Sequence, residues 1–152
     1  MSYSTPAQAG RAVGALLSGL VKAGGTYRET TPFTMLGIML DCSRNAVMTV
    51  EHLKGWLRRL ALLGYNMVML YTEDTYELPD EPWFGYQRGR YTRGELRQID
   101  AYAAKLNIEI IPCIQTLGHL AQILKHGAYR TVKDTASVML VAMALGQFGV
   151  PV

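Results

Sequence analysis

The sequence predicts an α/β fold with parallel strands, of about three to four βα units preceded by an N-terminal helix. Three apolar runs, residues 33–40, 66–71 and 108–114, have the length and composition of buried strands. Helical patterns separate them, and this alternation favours parallel strands joined by right-handed crossovers. Each run ends in polar residues, at the edge where parallel sheets usually bind ligands.

The composition is typical of one soluble domain. The chain has 152 residues, of which 49% are hydrophobic and 18% charged, and its formal net charge is +3. That charge is too small to indicate nucleic acid as a partner. No stretch has the length of a membrane-spanning helix, and the apolar N-terminal stretch lacks a preceding positive region. We therefore expect a cytoplasmic protein without a membrane partner.

Residues 1–32 are predicted to form a helix and a linker. Five apolar residues recur at the spacing of one helical face: Val13, Leu16, Leu17, Leu20 and Val21. Gly24 and Gly25 are expected to end this helix. The βα units are expected to span residues 33–141, with a fourth strand at 138–141. Residues 142–152 form an atypical apolar tail.

Capping residues place the helices between the strands. Thr49 is a suitable N-cap for the helix after the first strand. Gly64 is expected to end the same helix. Thr92 and Glu95 have the spacing of a capping box, which predicts the start of the next helix. A short helix over residues 120–125 is expected after the third strand.

The connection from Thr72 to Tyr91 is unusually long, and such loops are often functional. Its Trp83 and Phe84 either form the core of the loop or make a stacking platform for sugar, and we favour the core. Its end is basic and interleaved with tyrosines, at Arg88, Arg90, Arg93 and Arg97. This pattern can bind RNA, but a solvated loop and first helical turn is the simpler interpretation.

The candidate site residues follow the strands: Asp41, Arg44, Glu73, Asp74 and His119. We expect these side chains to converge on one rim of the sheet. The guanidinium of Arg44 could contact neighbouring hydroxyls in a bidentate manner, or simply pair with Asp41. His119 could equally be a buried histidine that is satisfied by hydrogen bonds.

A divalent-metal site is the rival interpretation of these strand ends. Asp41, Asp74 and His119 have suitable donor atoms, but nothing in their spacing requires a metal. We therefore expect neither a metal nor a cofactor. The two cysteines, Cys42 and Cys113, lack ligand spacing and are expected to be free thiols.

Taken together, four motifs resemble the family 20 glycoside hydrolases, the β-N-acetylhexosaminidases, and in particular their cytoplasmic bacterial branch. The likeness extends over residues 35–141. The motifs are MLDCSRN at 39–45, LYTEDTYE at 70–77, EPWFGY at 81–86 and IPCIQTLGH at 111–119. Each motif is modest alone, but their order and spacing are specific.

The resemblance implies a (β/α)8 barrel of the TIM type that removes terminal β-linked N-acetylhexosamine from glycans. In that family the substrate's own acetamido oxygen is the nucleophile. The family's sugar-binding arginine corresponds to Arg44. Glu73, Asp74 and His119 correspond to the acidic pair and the histidine that support the catalytic acid.

One departure from the family is large. Its catalytic Asp-Glu pair follows the fourth strand, and the only Asp-Glu in this chain is Asp80-Glu81, in the long loop. We therefore expect a truncated hydrolase with no catalytic residues of its own and little activity. The alternative is a non-catalytic sugar-binding remnant or half-barrel, which would self-associate through exposed strand edges and the apolar tail.

Overall fold

The computed structural model describes residues 2–44, 47–115 and 118–133. Helices and strands alternate along these residues, and a 3₁₀ helix, Gly127–Val132, closes the described part. In chain order the elements are α1 (Pro6–Leu17), β1 (Gly37–Asp41), α2 (Val50–Leu62), β2 (Met67–Tyr71), α3 (Arg93–Lys105), β3 (Glu109–Cys113) and α4 (Ala121–Leu124). The predicted fourth strand, 138–141, and the tail, 142–152, lie outside the described residues.

The strands form a parallel sheet in the order β1-β2-β3, which confirms the predicted partial α/β barrel with its N-terminal helix. Asp41 is level with Tyr71, and Tyr71 is level with Cys113. The carboxyl ends of the strands therefore meet at one edge, as the sequence predicts.

The core lies between one face of this sheet and the helices α2 and α3. Alternate strand residues such as Leu40 and Val68 point to Leu53, Leu57 and Ile99, and these three helical residues are fully buried. The other face carries Met39, which lies level with Met69 and Ile111. Met39 is 54% exposed, so within the described residues the sheet is covered on its helical face only.

The first strand begins later than predicted. β1 starts at Gly37, and Phe33, which is 68% exposed, precedes it. The reason is that the paired part of β2 begins at Met67. The side chain of Asn66 instead accepts a hydrogen bond from the N–H of Leu36 at 2.8 Å and donates to the carbonyl of Thr34 at 2.9 Å. These bonds satisfy backbone groups that a longer β2 would otherwise pair.

The predicted helix caps of α2 and α3 are confirmed. The Thr49 hydroxyl accepts a hydrogen bond from the N–H of His52, and α2 ends at Leu62, just before Gly64 with its φ of 86°. Thr92 and Glu95 form both bonds of a capping box at the start of α3. These are local interactions, which is why sequence spacing alone locates them.

The packing of α1 differs from the prediction. The helix ends at Leu17 instead of continuing to Gly24, and the predicted apolar face is largely outward, with Leu17 73% exposed. α1 packs on α2 through Gly10 and Gly14, where an added Cβ would lie 2.5 and 2.0 Å from the carbonyl oxygens of Ala61 and Leu62. Because glycines allow the backbones to touch, they determine which face of α1 is buried.

A second apolar cluster lies beneath the long β2–α3 connection. Phe84 from this connection packs with Leu120, Ile123 and Leu124 of the α4 region. Phe84 is therefore core, as predicted, but the neighbouring Trp83 is 42% exposed.

In the ranges that the structure describes, no helix is long and apolar enough to cross a membrane.

Candidate functional site

The turn after β1 is folded around the carboxylate of Asp41. One oxygen of Asp41 accepts hydrogen bonds from the N–H of Ser43 at 2.8 Å and from its hydroxyl at 2.6 Å. The other oxygen accepts from the guanidinium of Arg44. Asp41 therefore both shapes the turn and fixes the direction of the Arg44 side chain.

Arg44 is also held by the end of β2. Its Nη2 lies 4.0 Å from an oxygen of Glu73, and its guanidinium carbon lies 5.5 Å from the ring centre of Tyr71. A cation over an aromatic ring is attracted by the ring's negative face. The Arg44 side chain nevertheless stays 58% exposed. Much of its donor fork is thus open to a ligand at the rim.

Glu73 has a backbone conformation that is uncommon for its residue type. Its φ is 50°, and the residue is buried. A non-glycine residue in this region carries strain of about 1–3 kcal/mol. The conformation turns its carboxylate toward the Tyr71 hydroxyl, which donates a 3.1 Å hydrogen bond to Glu73. Burial and this bond raise the pKa of Tyr71, and the positive charge of Arg44 opposes the rise.

The side chain of Asp74 is buried, and its described ionic partner is Arg88. The Asp74 side chain is only 3% exposed, and one of its oxygens, Oδ1, lies 3.2 Å from Nη2 of Arg88. The same Oδ1 meets no hydrogen-bond partner of good geometry in the described residues, so this contact is chiefly ionic. Arg88 also donates to the carbonyl of Ser43. The arginine therefore ties the long loop to both strand ends.

The prediction of a solvated basic stretch is wrong for its first two arginines. The Arg88 side chain is 14% exposed and makes the contacts described above. Arg90 is half-buried and donates to the carbonyl of Phe84. Arg93 and Arg97 are exposed at the start of α3, as predicted. Arg88 and Arg90 make contacts inside the protein because the long loop folds back on itself. The local sequence does not reveal this folding.

His119 lies just before α4, at the end of the chain segment that follows β3. It is exposed, with a φ of 55°, and the described contacts include none between its side chain and Arg44, Glu73 or Asp74. Its supporting role therefore stays a prediction. The residues predicted for the site did not include Tyr71, although it lies at the end of the second apolar run.

The structure thus brings Asp41, Arg44 and Glu73 together, whereas Asp74 is buried next to Arg88. Within the described ranges, no group of three or more histidine, cysteine, aspartate or glutamate residues is arranged to hold a metal ion. Both cysteines are free, with Cys42 buried beneath the rim. The arrangement presents one oriented guanidinium fork with acceptor carboxylates beside it, and this combination suits a polyhydroxylated ligand.

We expect Asp41 to make the free energy of unfolding depend on pH in the acid range. Burial acts to raise its pKa, but the hydrogen bonds from Ser43 and the charge of Arg44 prevail and lower it from 3.8 to about 2. A lowered folded-state pKa stabilises the fold above the unfolded value, and this contribution is lost as the pH falls from about 4 to 2.

In urea unfolding at a series of pH values, Asp41→Asn should therefore be less stable than the parent chain at neutral pH. The difference between the two proteins should shrink below about pH 4. A difference in unfolding free energy that is the same at pH 7 and pH 2 would contradict this role of the carboxylate.

Comparison with known proteins agrees with this architecture. Residues 33–148 match the model of the glycosyl hydrolase family 20 catalytic domain. Human hexosaminidase D is 28% identical over 108 residues, which are 71% of this chain and 22% of the human protein.

Two solved structures are also similar. A glycoside hydrolase family 20 β-N-acetylglucosaminidase has a TM-score of 0.54 and 27% identity, over 60% of this chain and 22% of that protein. The family 20 β-N-acetylhexosaminidase from Streptomyces coelicolor A3(2) has a TM-score of 0.51 and 26% identity, over 63% of this chain and 22% of that protein.

The chain thus spans about a fifth of the length of these relatives. The family model, however, covers well over half of this chain, including β1, β2 and β3 and the rim that they form. The chain therefore belongs to glycosyl hydrolase family 20.

Proposed function

We propose that this chain forms the first βα units of a β-N-acetylhexosaminidase barrel and holds the terminal N-acetylhexosamine of a glycan through Arg44. The supporting observation is the orientation of Arg44 by three contacts, from Asp41, Glu73 and Tyr71. A flexible arginine held in this way loses little additional freedom when it binds a ligand. Its planar fork can donate to two adjacent ring hydroxyls at once.

The carboxylates beside Arg44 complete a sugar-binding edge. Asp41 is 41% exposed at its side chain, so it can accept a hydrogen bond from a ligand hydroxyl as well as from Arg44. Glu73 is 9% exposed and acts mainly by keeping the guanidinium in place. A neutral, hydroxyl-rich ring suits this mixture of donors and acceptors better than an anion, which the two carboxylates would repel.

Hydrolysis needs groups beyond this edge. In the family to which the chain belongs, an aspartate steadies the acetamido N–H and a glutamate protonates the leaving oxygen. The Asp80-Glu81 pair does not match this role, because Asp80 lies in a turn with a φ of 63° and Glu81 accepts a 2.7 Å hydrogen bond from Tyr129. General acid assistance contributes roughly 10²–10⁴-fold to a rate. We therefore propose that the 152-residue chain by itself turns over little substrate.

Turnover is tested with a chromogenic β-N-acetylglucosaminide. We expect the rate with the 152-residue protein to stay near the buffer blank. A longer protein that contains this chain and adds an Asp-Glu pair after a fourth strand should hydrolyse the substrate. Efficient turnover by the 152-residue protein would show that its acid lies elsewhere, with Glu81→Gln as the first variant to examine.

Sugar binding is tested at Arg44. Arg44→Lys keeps the charge but loses the fork, and Arg44→Ala loses both, so both variants should weaken binding of N-acetylglucosamine, by roughly tenfold or more for alanine. Ligand-detected NMR measures the change. The control is Arg59→Ala, on an exposed face of α2, which should bind the sugar as the parent chain does. Equal binding by Arg44→Ala and the control would exclude Arg44 from the sugar site.

A second candidate function is a self-associating half-barrel without catalysis. It is favoured by the exposed sheet face at Met39 and by β1 and β3, which are both edge strands within the described sheet. Unpaired edges favour association with another copy. Light scattering on the preparation used for the turnover assay separates the candidates, because an inert oligomer favours the half-barrel and a sugar-binding monomer opposes it.

We further propose a cytoplasmic location and membership of the bacterial branch. The two free cysteines, Cys42 and Cys113, support a reducing compartment. The four motifs at residues 39–45, 70–77, 81–86 and 111–119, taken together, support the branch.

A further inference from the structure

An exposed aromatic cluster lies on the surface of the long β2–α3 connection. Trp83 is 42% exposed and Tyr86 is 46% exposed, and their ring centres are 5.2 Å apart in an edge-to-face arrangement. His126, from the segment after α4, stacks on Trp83 with ring centres 5.2 Å apart and planes inclined by 28°. Three rings from two separate segments thus form one patch, which we call the Trp83 platform.

The Trp83 platform is held from below. Phe84, which lies between Trp83 and Tyr86 in the sequence, is 9% exposed and packs in the second apolar cluster. Arg90 donates to the carbonyl of Phe84, and the Tyr129 hydroxyl donates to Glu81 at 2.7 Å. The loop therefore keeps Trp83 and Tyr86 outward although burial of these rings would be favourable. Large rings kept exposed on a firm support are typical of binding surfaces.

A series of contacts links the platform to the sugar-binding edge. Gly85, between Phe84 and Tyr86, lies directly against the carbonyl oxygen of Asp74, since an added Cβ would be 2.4 Å from that oxygen. Asp74 contacts Arg88, and Arg88 donates to Ser43, the residue before Arg44. The platform and Arg44 are therefore connected through a short, packed route at the same end of the sheet.

We propose that the Trp83 platform binds a second sugar ring of the glycan whose terminal N-acetylhexosamine is held by Arg44. This inference rests on the proposed function and adds a subsite for the sugar next to the terminal one. Pyranose rings have a face of C–H groups that packs on the electron-rich face of an aromatic ring. The ligand is thus an oligosaccharide that ends in N-acetylhexosamine and not a single sugar.

The arginines of the loop are not available to a nucleic acid at the platform. Arg88 and Arg90, the nearest cations in the loop, are engaged with Asp74 and with the Phe84 carbonyl. The acids Asp80 and Glu81 lie on the other side of Trp83 in the sequence and are exposed. A phosphate backbone needs available cations, whereas a neutral sugar ring does not.

Tryptophan fluorescence tests the proposal directly, because the chain has only two tryptophans. Trp56 lies on α2, where its indole N–H donates to His52. In a Trp56→Phe protein, Trp83 is the sole indole. Titration with N,N′-diacetylchitobiose should change its emission. Trp83→Ala should weaken binding of this disaccharide roughly tenfold, or about 1.4 kcal/mol, and change binding of N-acetylglucosamine less than about twofold. Because Trp83 is exposed, circular dichroism should show an intact fold.

The outcomes separate this proposal from the proposed function. A Trp83 response to the disaccharide that persists in Arg44→Ala supports the platform even if Arg44 holds no sugar. Disaccharide binding that needs Arg44 but is unchanged in Trp83→Ala overturns the platform and leaves the proposed function standing. Absence of binding of either sugar to the parent chain overturns both.

Discussion

Replacement of Arg88 with alanine is expected to lower the free energy of unfolding by about 3–5 kcal/mol, the usual effect of leaving one partner of a buried ion pair alone. The carboxyl group of Asp74 would stay at a site where its side chain is 3% exposed, without the guanidinium of Arg88 that lies 3.2 Å away. The carbonyl of Ser43 would lose its donor as well. Urea denaturation followed by circular dichroism measures the loss.

Two further variants show whether pairing is the cause. Arg97→Ala removes an exposed arginine from the same basic stretch and should change the unfolding free energy by less than about 0.5 kcal/mol. Adding Asp74→Asn to Arg88→Ala removes the isolated carboxyl group, so the double variant should be more stable than Arg88→Ala alone. If Arg88→Ala unfolds like Arg97→Ala, the contact with Asp74 does not stabilise the protein.

The second large effect is expected at Gly85. Its φ of 66° disfavours any side chain, and a Cβ would lie 2.4 Å from the Asp74 carbonyl oxygen and 2.9 Å from the Cβ of Arg90. Backbone strain and overpacking are each of order 1–3 kcal/mol, so Gly85→Ala should be destabilising by about 2 kcal/mol or more. Because the loop must move, disaccharide binding at the Trp83 platform should weaken too.

Gly89 provides a matched control for this effect. Its φ is 65°, nearly that of Gly85, but the nearest atom to an added Cβ is the Cβ of Val47 at 3.8 Å. Gly89→Ala should therefore show the backbone strain alone, about 1 kcal/mol, and leave disaccharide binding unchanged. Thermal and urea unfolding of both variants gives the comparison. Equal destabilisation would mean that the loop does not press on Asp74.

The sequence predicts most of the elements because their signals are local. The capping box of Thr92 and Glu95 and the cap at Thr49 involve residues three apart, so spacing alone identifies them. The apolar runs predict all three described strands, though they misplace the start of β1 by several residues. That boundary depends on Asn66, which bonds to Thr34 and Leu36 across the sheet, and no local pattern encodes such a contact.

The same distinction applies to the candidate site. The order of strand ends predicts that five residues converge: Asp41, Arg44, Glu73, Asp74 and His119. The structure brings the first three together, because parallel strands bring their carboxyl ends to one edge. The order of strand ends does not predict Tyr71, which looks like an ordinary strand residue until Arg44 is seen above its ring. Arg88 is identical in sequence character to the exposed Arg97, and only the fold of the long loop separates them.

The sequence by itself therefore determined the α/β class, the helix caps of α2 and α3 and the parallel direction of the strands, since each follows from periodicity or short spacing. It also placed Asp41, Arg44 and Glu73 at the strand ends. Tertiary structure alone decided that Gly10 and Gly14 bury the face of α1, that Phe84 turns inward while Trp83 turns outward, and that Arg88 pairs with Asp74. These outcomes depend on contacts between segments distant in the chain, where close approach of two backbones or burial of one charge selects among side chains that are locally equivalent.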